Sequence, residues 1–139
     1  MTGVYQHTID AKGRLAIPAR LRDELGDSFY VTLSAEKCLT AYTNERWNDF
    51  MERIEALPIS HQVEMRPLFS KAAKCEPDAQ GRILLPQNLR DFANLNKNVT
   101  IVGAGVNYAQ IWDSDEWAKI DEVETTPEHI KSIMDKLGI

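Results

Sequence analysis

The sequence predicts an α+β fold, mainly β with helices, in which two copies of one unit share a single core. Three observations carry this reading. "IDAKGRLAIPARLRDEL" at residues 9–25 returns 68 positions later as "PDAQGRILLPQNLRDFA" at residues 77–93. Around each copy, apolar residues alternate in short runs broken by turn residues, the pattern of β-hairpins. Between and after the copies the apolar spacing changes to that of helices. A chain of 139 residues suits one compact domain, or two small halves with a common core.

The first element is a strand, a turn and a return strand within "YQHTIDAKGRLAI" at residues 5–17. Asp at the first turn position and Gly at the fourth fit a type I turn. Asp10 can accept from backbone N–H groups further round the bend, and Gly13 tolerates a positive φ. Asp78 and Gly81 stand in the same places in the second copy. Arg14 and Arg82 then open the return strands, and a salt bridge from each Asp to the Arg four positions later would brace each turn.

Each return strand runs into a proline, Pro18 or Pro86, where a missing N–H suits the first turn of a helix. Leu21 and Leu25 share one face of that helix, and Gly26 ends it; Leu89, Ala93 and Asn94 repeat the arrangement. Strands follow at "FYVTL" (29–33) and near "CLTAY" (38–42), and again at "VTIVG" (99–103) and "AQIW" (109–112). One such unit has few apolar residues and exposed strand edges, so it should be marginal alone. Two copies can interleave their hairpins and close a common barrel about a pseudo-twofold axis.

The segment between the copies reads as helix. Trp47, Phe50, Met51, Ile54 and Leu57 form a stripe with Asn44 as cap and Pro58 as stop. Residues 60–74 read as a second helix, which Pro67 must kink or begin. After the second copy, Ser114 is a candidate cap for a helix bearing Trp117 and Ile120. Pro127 opens a last helix with Ile130, Ile133, Met134 and Leu137 on one stripe. Core packing is the simplest use of these stripes, and an interface between protomers is the alternative for the last. The organisation expected is residues 1–44 and 75–118 for the copies, 45–74 for a helical linker and 119–139 for a helical tail.

The formal charge of −5 is unevenly distributed. Residues 113–139 hold eight acids and three bases, and residues 1–112 balance. Residues 1–22 set Lys12, Arg14, Arg20 and Arg22 against Asp10 alone. An acidic total therefore leaves room for a basic face around the repeats. Cys38 and Cys75 are the only cysteines, lack C-x-x-C spacing and read as free thiols in or near the core. Structural zinc needs about four ligands, which two cysteines and three scattered histidines do not supply. The opening "MTGVYQHTID" has no basic stretch followed by an apolar run, and nothing approaches the ~18 apolar residues of a membrane span. A cytoplasmic location is expected.

The two D-x-x-x-R turns, Asp10 to Arg14 and Asp78 to Arg82, each lead into a G-R-[LI]-x-[IL]-P run. "YQHTIDAKGRLAIPARLR" and the later "IW" with Trp117 resemble the MraZ family over about residues 3–120. Thr2 and Pro67 depart from that family's usual pattern. The resemblance implies an AbrB/MazE-like swapped-hairpin barrel and ring-like homo-oligomers without a cofactor. It also implies sequence-specific binding to short tandem repeats in the promoter of a division and cell-wall gene cluster, on the bacterial nucleoid.

The chemistry of the residues suits that role. Arginine presents a rigid donor fork that matches guanine O6/N7 or a phosphate. Arg14 is the first candidate reader, with Lys12 beside it and Arg20 and Arg22 placed for phosphates near a helix N-terminus. Arg14 can also serve as a brace to Asp10, and a braced guanidinium is pre-organised for reading. The second copy carries Gln80 for Lys12 and Asn88 for Arg20, so Arg82 is a weaker candidate with a structural alternative. Three other classes compete. An enzyme lacks support, because His7, His61 and His129 are far apart and no G-x-S-x-G or P-loop occurs. A MazE-like antitoxin usually carries one copy and a disordered toxin-binding tail. A structural ring without DNA affinity is the third.

Overall fold

The computed structural model describes residues 1–139. The first copy contributes β1 (Val4–Thr8), β2 (Arg14–Ala16), α1 (Ala19–Leu25), β3 (Phe29–Leu33) and β4 (Leu39–Thr43). Three helices follow, α2 (Asn44–Glu55), α3 (Ile59–Glu64) and α4 (Arg66–Ser70). The second copy gives β5 (Ala73–Cys75), β6 (Arg82–Leu84), α5 (Gln87–Phe92), β7 (Asn98–Gly103) and β8 (Tyr108–Asp113). Helices α6 (Ser114–Glu124) and α7 (Pro127–Leu137) complete a mixed α+β chain. No helix is long and apolar enough to cross a membrane.

All pairings are antiparallel. Six strands form one sheet in the order β1-β7-β8-β4-β3-β5, and β2 pairs with β6 in a separate ribbon. The local hairpins β3–β4 and β7–β8 stay within their copies. Every other ladder joins one copy to the other: β1 to β7, β5 to β3, β4 to β8 and β2 to β6. The set of pairings is unchanged when the copies are exchanged. Each copy thereby covers strand edges that the other would leave open.

The core follows the same logic. One cluster of 17 buried residues draws Leu15, Ile17, Leu21 and Leu25 from the first copy and Ile83, Leu85, Leu89 and Ala93 from the second. Leu15 and Ile83 face each other in the β2–β6 register and are sealed from solvent. Each such side chain contributes roughly 1.5–3 kcal/mol by leaving water. The cysteines are free and buried, and burial pushes both thiols up to about 11.

Several local expectations change. The turns form, yet β1 and β2 share no ladder and an isolated Ile9–Leu15 bridge is the one β-pairing beside the turn, because the β2 ladder goes to β6. Residues 60–74 are two short helices and a strand instead of one kinked helix. Of the two placements expected for Pro67, the first turn of a helix holds: it opens α4, where its missing N–H costs nothing, and α3 ends at Glu64 with Met65 as its C-cap. Ala73–Cys75 becomes the edge strand beside β3. Thr43, not Asn44, caps α2 by accepting from the Arg46 N–H, and Leu57 lies beyond its end. Asp113, not Ser114, caps α6 by accepting from the Glu116 N–H. Ser114 Oγ instead lies 2.9 Å from Thr100 Oγ1. The α2 stripe packs inward through Trp47 and Ile54, whereas α7 buries no residue and leaves Ile130, Ile133, Met134 and Leu137 in solvent.

Candidate nucleic-acid interface

Both repeated turns close in the same way. Gly13 N–H donates to Asp10 O at 3.0 Å, and Asp10 N–H to Arg14 O at 3.0 Å. Asp10 Oδ1 accepts from the backbone N–H groups of Lys12 and Arg14, each at 2.9 Å. The remaining Oδ2 accepts from Arg14 Nε at 2.8 Å. Asp78 repeats the set with Gln80, Arg82 and Arg82 Nε at 2.9, 2.9 and 3.0 Å. Gly13 and Gly81 take φ of 80° and 77°, a conformation that costs a residue with a Cβ about 1–2 kcal/mol.

These bonds set the charge on each turn. The Arg14 backbone N–H, with the guanidinium and the Lys12 N–H adding to it, holds the Asp10 carboxyl below the usual carboxylate range. The Arg82 backbone N–H leads the same effect on Asp78. Both carboxylates stay ionised at neutral pH and keep their arginines in place. As partly exposed pairs, with side-chain exposures of 33% for Arg14 and 37% for Asp10, they are screened by solvent and contribute little to stability. Their effect is to fix direction.

The β2–β6 ribbon then sorts its side chains by pleat. Leu15 and Ile83 point to the core. Arg14, Ala16, Arg82 and Leu84 occupy the alternate positions, with Arg14 opposite Leu84 and Ala16 opposite Arg82. Leu84 is 60% exposed, so this outer face is uncovered. Arg82 also approaches the other copy's turn, its Nη1 lying 4.0 Å from Asp10 Oδ2. The two turns and their arginines are therefore one cluster on one ribbon.

The remaining site residues divide. Lys12 is exposed at the tip of the first turn, with Gln80 at the tip of the second. Arg20 is exposed near the start of α1. Arg22 lies in the last turn of α1, away from the helix N-terminus. Its guanidinium rests on the second copy's turn, where a Cβ on Gly81 would come within 2.6 Å of it. Arg22 Nε is buried without a hydrogen-bond partner.

Sequence reasoning gave no role to Arg90, the repeat-equivalent of Arg22. Its guanidinium lies 3.0 Å from where a Gly13 Cβ would stand, and its Nε donates to Leu85 O at 3.0 Å. The recurrence of Arg22 as Arg90 was the available signal. Backbone bonds complete the crossover: Leu85 N–H donates to Gly13 O and Ile17 N–H to Gly81 O, both at 2.9 Å.

Comparison with known proteins agrees with the doubled architecture. A family model described as "MraZ protein, putative antitoxin-like" matches residues 1–66 and again 68–130. The chain is 47% identical over 118 residues to a "Transcriptional regulator MraZ" from Carboxydothermus hydrogenoformans, covering 83% of this chain and 82% of the relative. It is 46% identical over 123 residues to the protein of the same name from Heliobacterium modesticaldum, covering 86% and 85%. A third, from Alkaliphilus metalliredigens, is 39% identical over 141 residues, covering 99% and 98%. With both halves matched and such relatives aligned along most of their length, the chain belongs to the MraZ family.

Proposed function

We propose that the chain is a sequence-specific DNA-binding transcriptional regulator and not an enzyme. It binds short tandem repeats in the promoter of the division and cell-wall gene cluster, including its own gene, and resides on the nucleoid in the cytoplasm. The relatives' shared name supports regulation of transcription. The observation that carries the DNA reading is the outer face of the β2–β6 ribbon. It presents Arg14 and Arg82 on fixed turns, with Lys12 exposed at the tip of the first. We read the two halves as a swapped-hairpin barrel whose ribbon serves as the reading edge.

The two turns are unequal in this reading. Arg14 pairs with Asp10 alone, whereas Arg82 is shared between Asp78 and Asp10. With Gln80 in place of Lys12, the second turn is the weaker reader and the first makes the principal contact. One turn with two cations binds weakly, so specific affinity requires several turns on successive repeats. We therefore assign the chain to a homo-oligomeric ring. Its contact surfaces are the exposed stripe of α7 and the groove on α2–α4 lined by Met51, Ile54, Ile59, Val63 and Phe69.

The test is footprinting of the purified protein on its own upstream region at stated salt. Protection at short, regularly spaced repeats is expected. Uniform, sequence-independent protection that vanishes with salt would remove the regulator reading.

A further inference from the structure

The repeat places an arginine of each half against the turn glycine of the other half. Arg90, on α5 of the second copy, covers Gly13 in the first copy's turn. Arg22, on α1 of the first copy, covers Gly81 in the second. Neither Arg90 nor Arg22 has a carboxylate within 4.0 Å, so ion pairing does not explain these positions.

We propose that Arg90 is a positioning residue that sets the geometry of the Lys12-Gly13-Arg14 turn, so the reading turn of one half is held by the other. The physical route is short. Arg90 Nε fixes the Leu85 carbonyl at 3.0 Å, and the Leu85 N–H holds the Gly13 carbonyl at 2.9 Å. The guanidinium then closes over the Gly13 Cα, in space that any side chain at position 13 would contest. Gly13 precedes Arg14, whose Nε direction depends on this bend. The brace on the first turn has a hydrogen bond that its counterpart lacks, because Arg22 Nε has no partner. The better-held turn is also the one that carries Lys12.

This inference rests on the DNA-reading role only for its second readout. The first uses no DNA. Hydrogen–deuterium exchange on the full-length protein follows the peptides covering residues 10–16 and 78–84, which contain the amides bound to Asp10 and Asp78. Arg90→Gln is expected to accelerate exchange in the first peptide by about tenfold and leave the second at its wild-type rate. Arg22→Gln is expected to do the reverse. Unchanged exchange at residues 10–16 in Arg90→Gln, or equal acceleration of both peptides in each variant, overturns the proposal.

The second readout separates positioning from charge. Arg90→Lys keeps the cation but loses the planar fork. It is expected to lower the ratio of affinities for the promoter repeat and a scrambled duplex by about tenfold, with the salt slope unchanged. Wild-type discrimination in Arg90→Lys, or a slope reduced by about one in Arg90→Gln, assigns Arg90 a role through its charge alone and sinks the inference. Should Arg90→Gln not fold, Arg90→Lys takes its place in the exchange experiment under the same criteria. A wild-type protein that ignores promoter repeats overturns the regulator reading, and the exchange result still decides the role of Arg90.

Discussion

Arg82 reaches out of its own copy toward Asp10: its Nη1 lies 4.0 Å from Asp10 Oδ2 while its Nε bonds Asp78 at 3.0 Å. One guanidinium thus spans the acids of both turns. Arg14 is held by Asp10 alone, which leaves its Nη groups the freer pair of donors.

Replacing the two arginines should separate these roles. Arg14→Ala is expected to weaken binding to the promoter repeat by about 1–3 kcal/mol per contacting subunit. Arg82→Ala is expected to cost less, because that side chain is divided between two carboxylates. An electrophoretic shift series at fixed salt, with far-UV circular dichroism to confirm the fold, measures both. Equal losses would show that the turns read DNA alike.

Acid should loosen the turns by a predictable route. Asp10 and Asp78 are held below the ordinary carboxylate range by backbone and arginine N–H groups. A depressed carboxylate stabilises the folded state above its unfolded pKa, and that contribution disappears as pH falls through the lower folded value. Urea midpoints should therefore fall on the acid side of the normal Asp range. Asp10→Asn combined with Asp78→Asn should flatten that limb, and a limb as steep as wild type would place its cause elsewhere.

The bend itself depends on the absence of a Cβ. Gly13→Ala forces φ of 80° on alanine and brings its Cβ to 3.0 Å from Arg90 Nη2 and 3.3 Å from Leu85 O. A loss of about 1–2 kcal/mol is expected from the conformation alone, read from the shift in urea midpoint. Gly81→Ala adds a 2.6 Å approach to Arg22, which must swing aside.

At the centre of the ribbon, Leu15→Ala and Ile83→Ala should be nearly interchangeable. Both side chains are sealed, face each other and lie in the same cluster. Each truncation is expected to cost about 2–5 kcal/mol. Because the cavity is shared, the double variant should cost less than the sum. Chemical denaturation of the three variants tests the coupling.

Truncation after Thr126 removes a helix that has no buried residue of its own and touches mainly α6. Thermal stability at the level of secondary structure should hardly change. The mass measured by light scattering should fall if the α7 stripe joins copies, and an unchanged mass would assign assembly to another surface.

The parts legible in the sequence were those set by neighbours along the chain. Asp10, Gly13 and Arg14 declare their turn because the bonds span four residues. Leu21, Leu25 and Leu89 show their faces through helical spacing. The β2–β6 pairing was hidden, since its register joins residues about as far apart as the repeat itself and leaves no local pattern. Strand β5 was lost in an apparently helical stretch, because three residues are too few to display a period. Arg90 was visible as a repeated letter, but its contact with Gly13 exists only once the copies cross. The α7 stripe revealed its amphipathic face without showing that this face would be left uncovered.

Crossed ladders within one polypeptide have a consequence for how such a molecule changes over generations. A symmetric dimer of identical subunits must accept every substitution twice, at both related positions. Here lysine at position 12 and glutamine at position 80 coexist on the same ribbon. Linking the halves covalently lets one specialise while the other supports it, and neither half can be discarded without unpairing its sibling's strands.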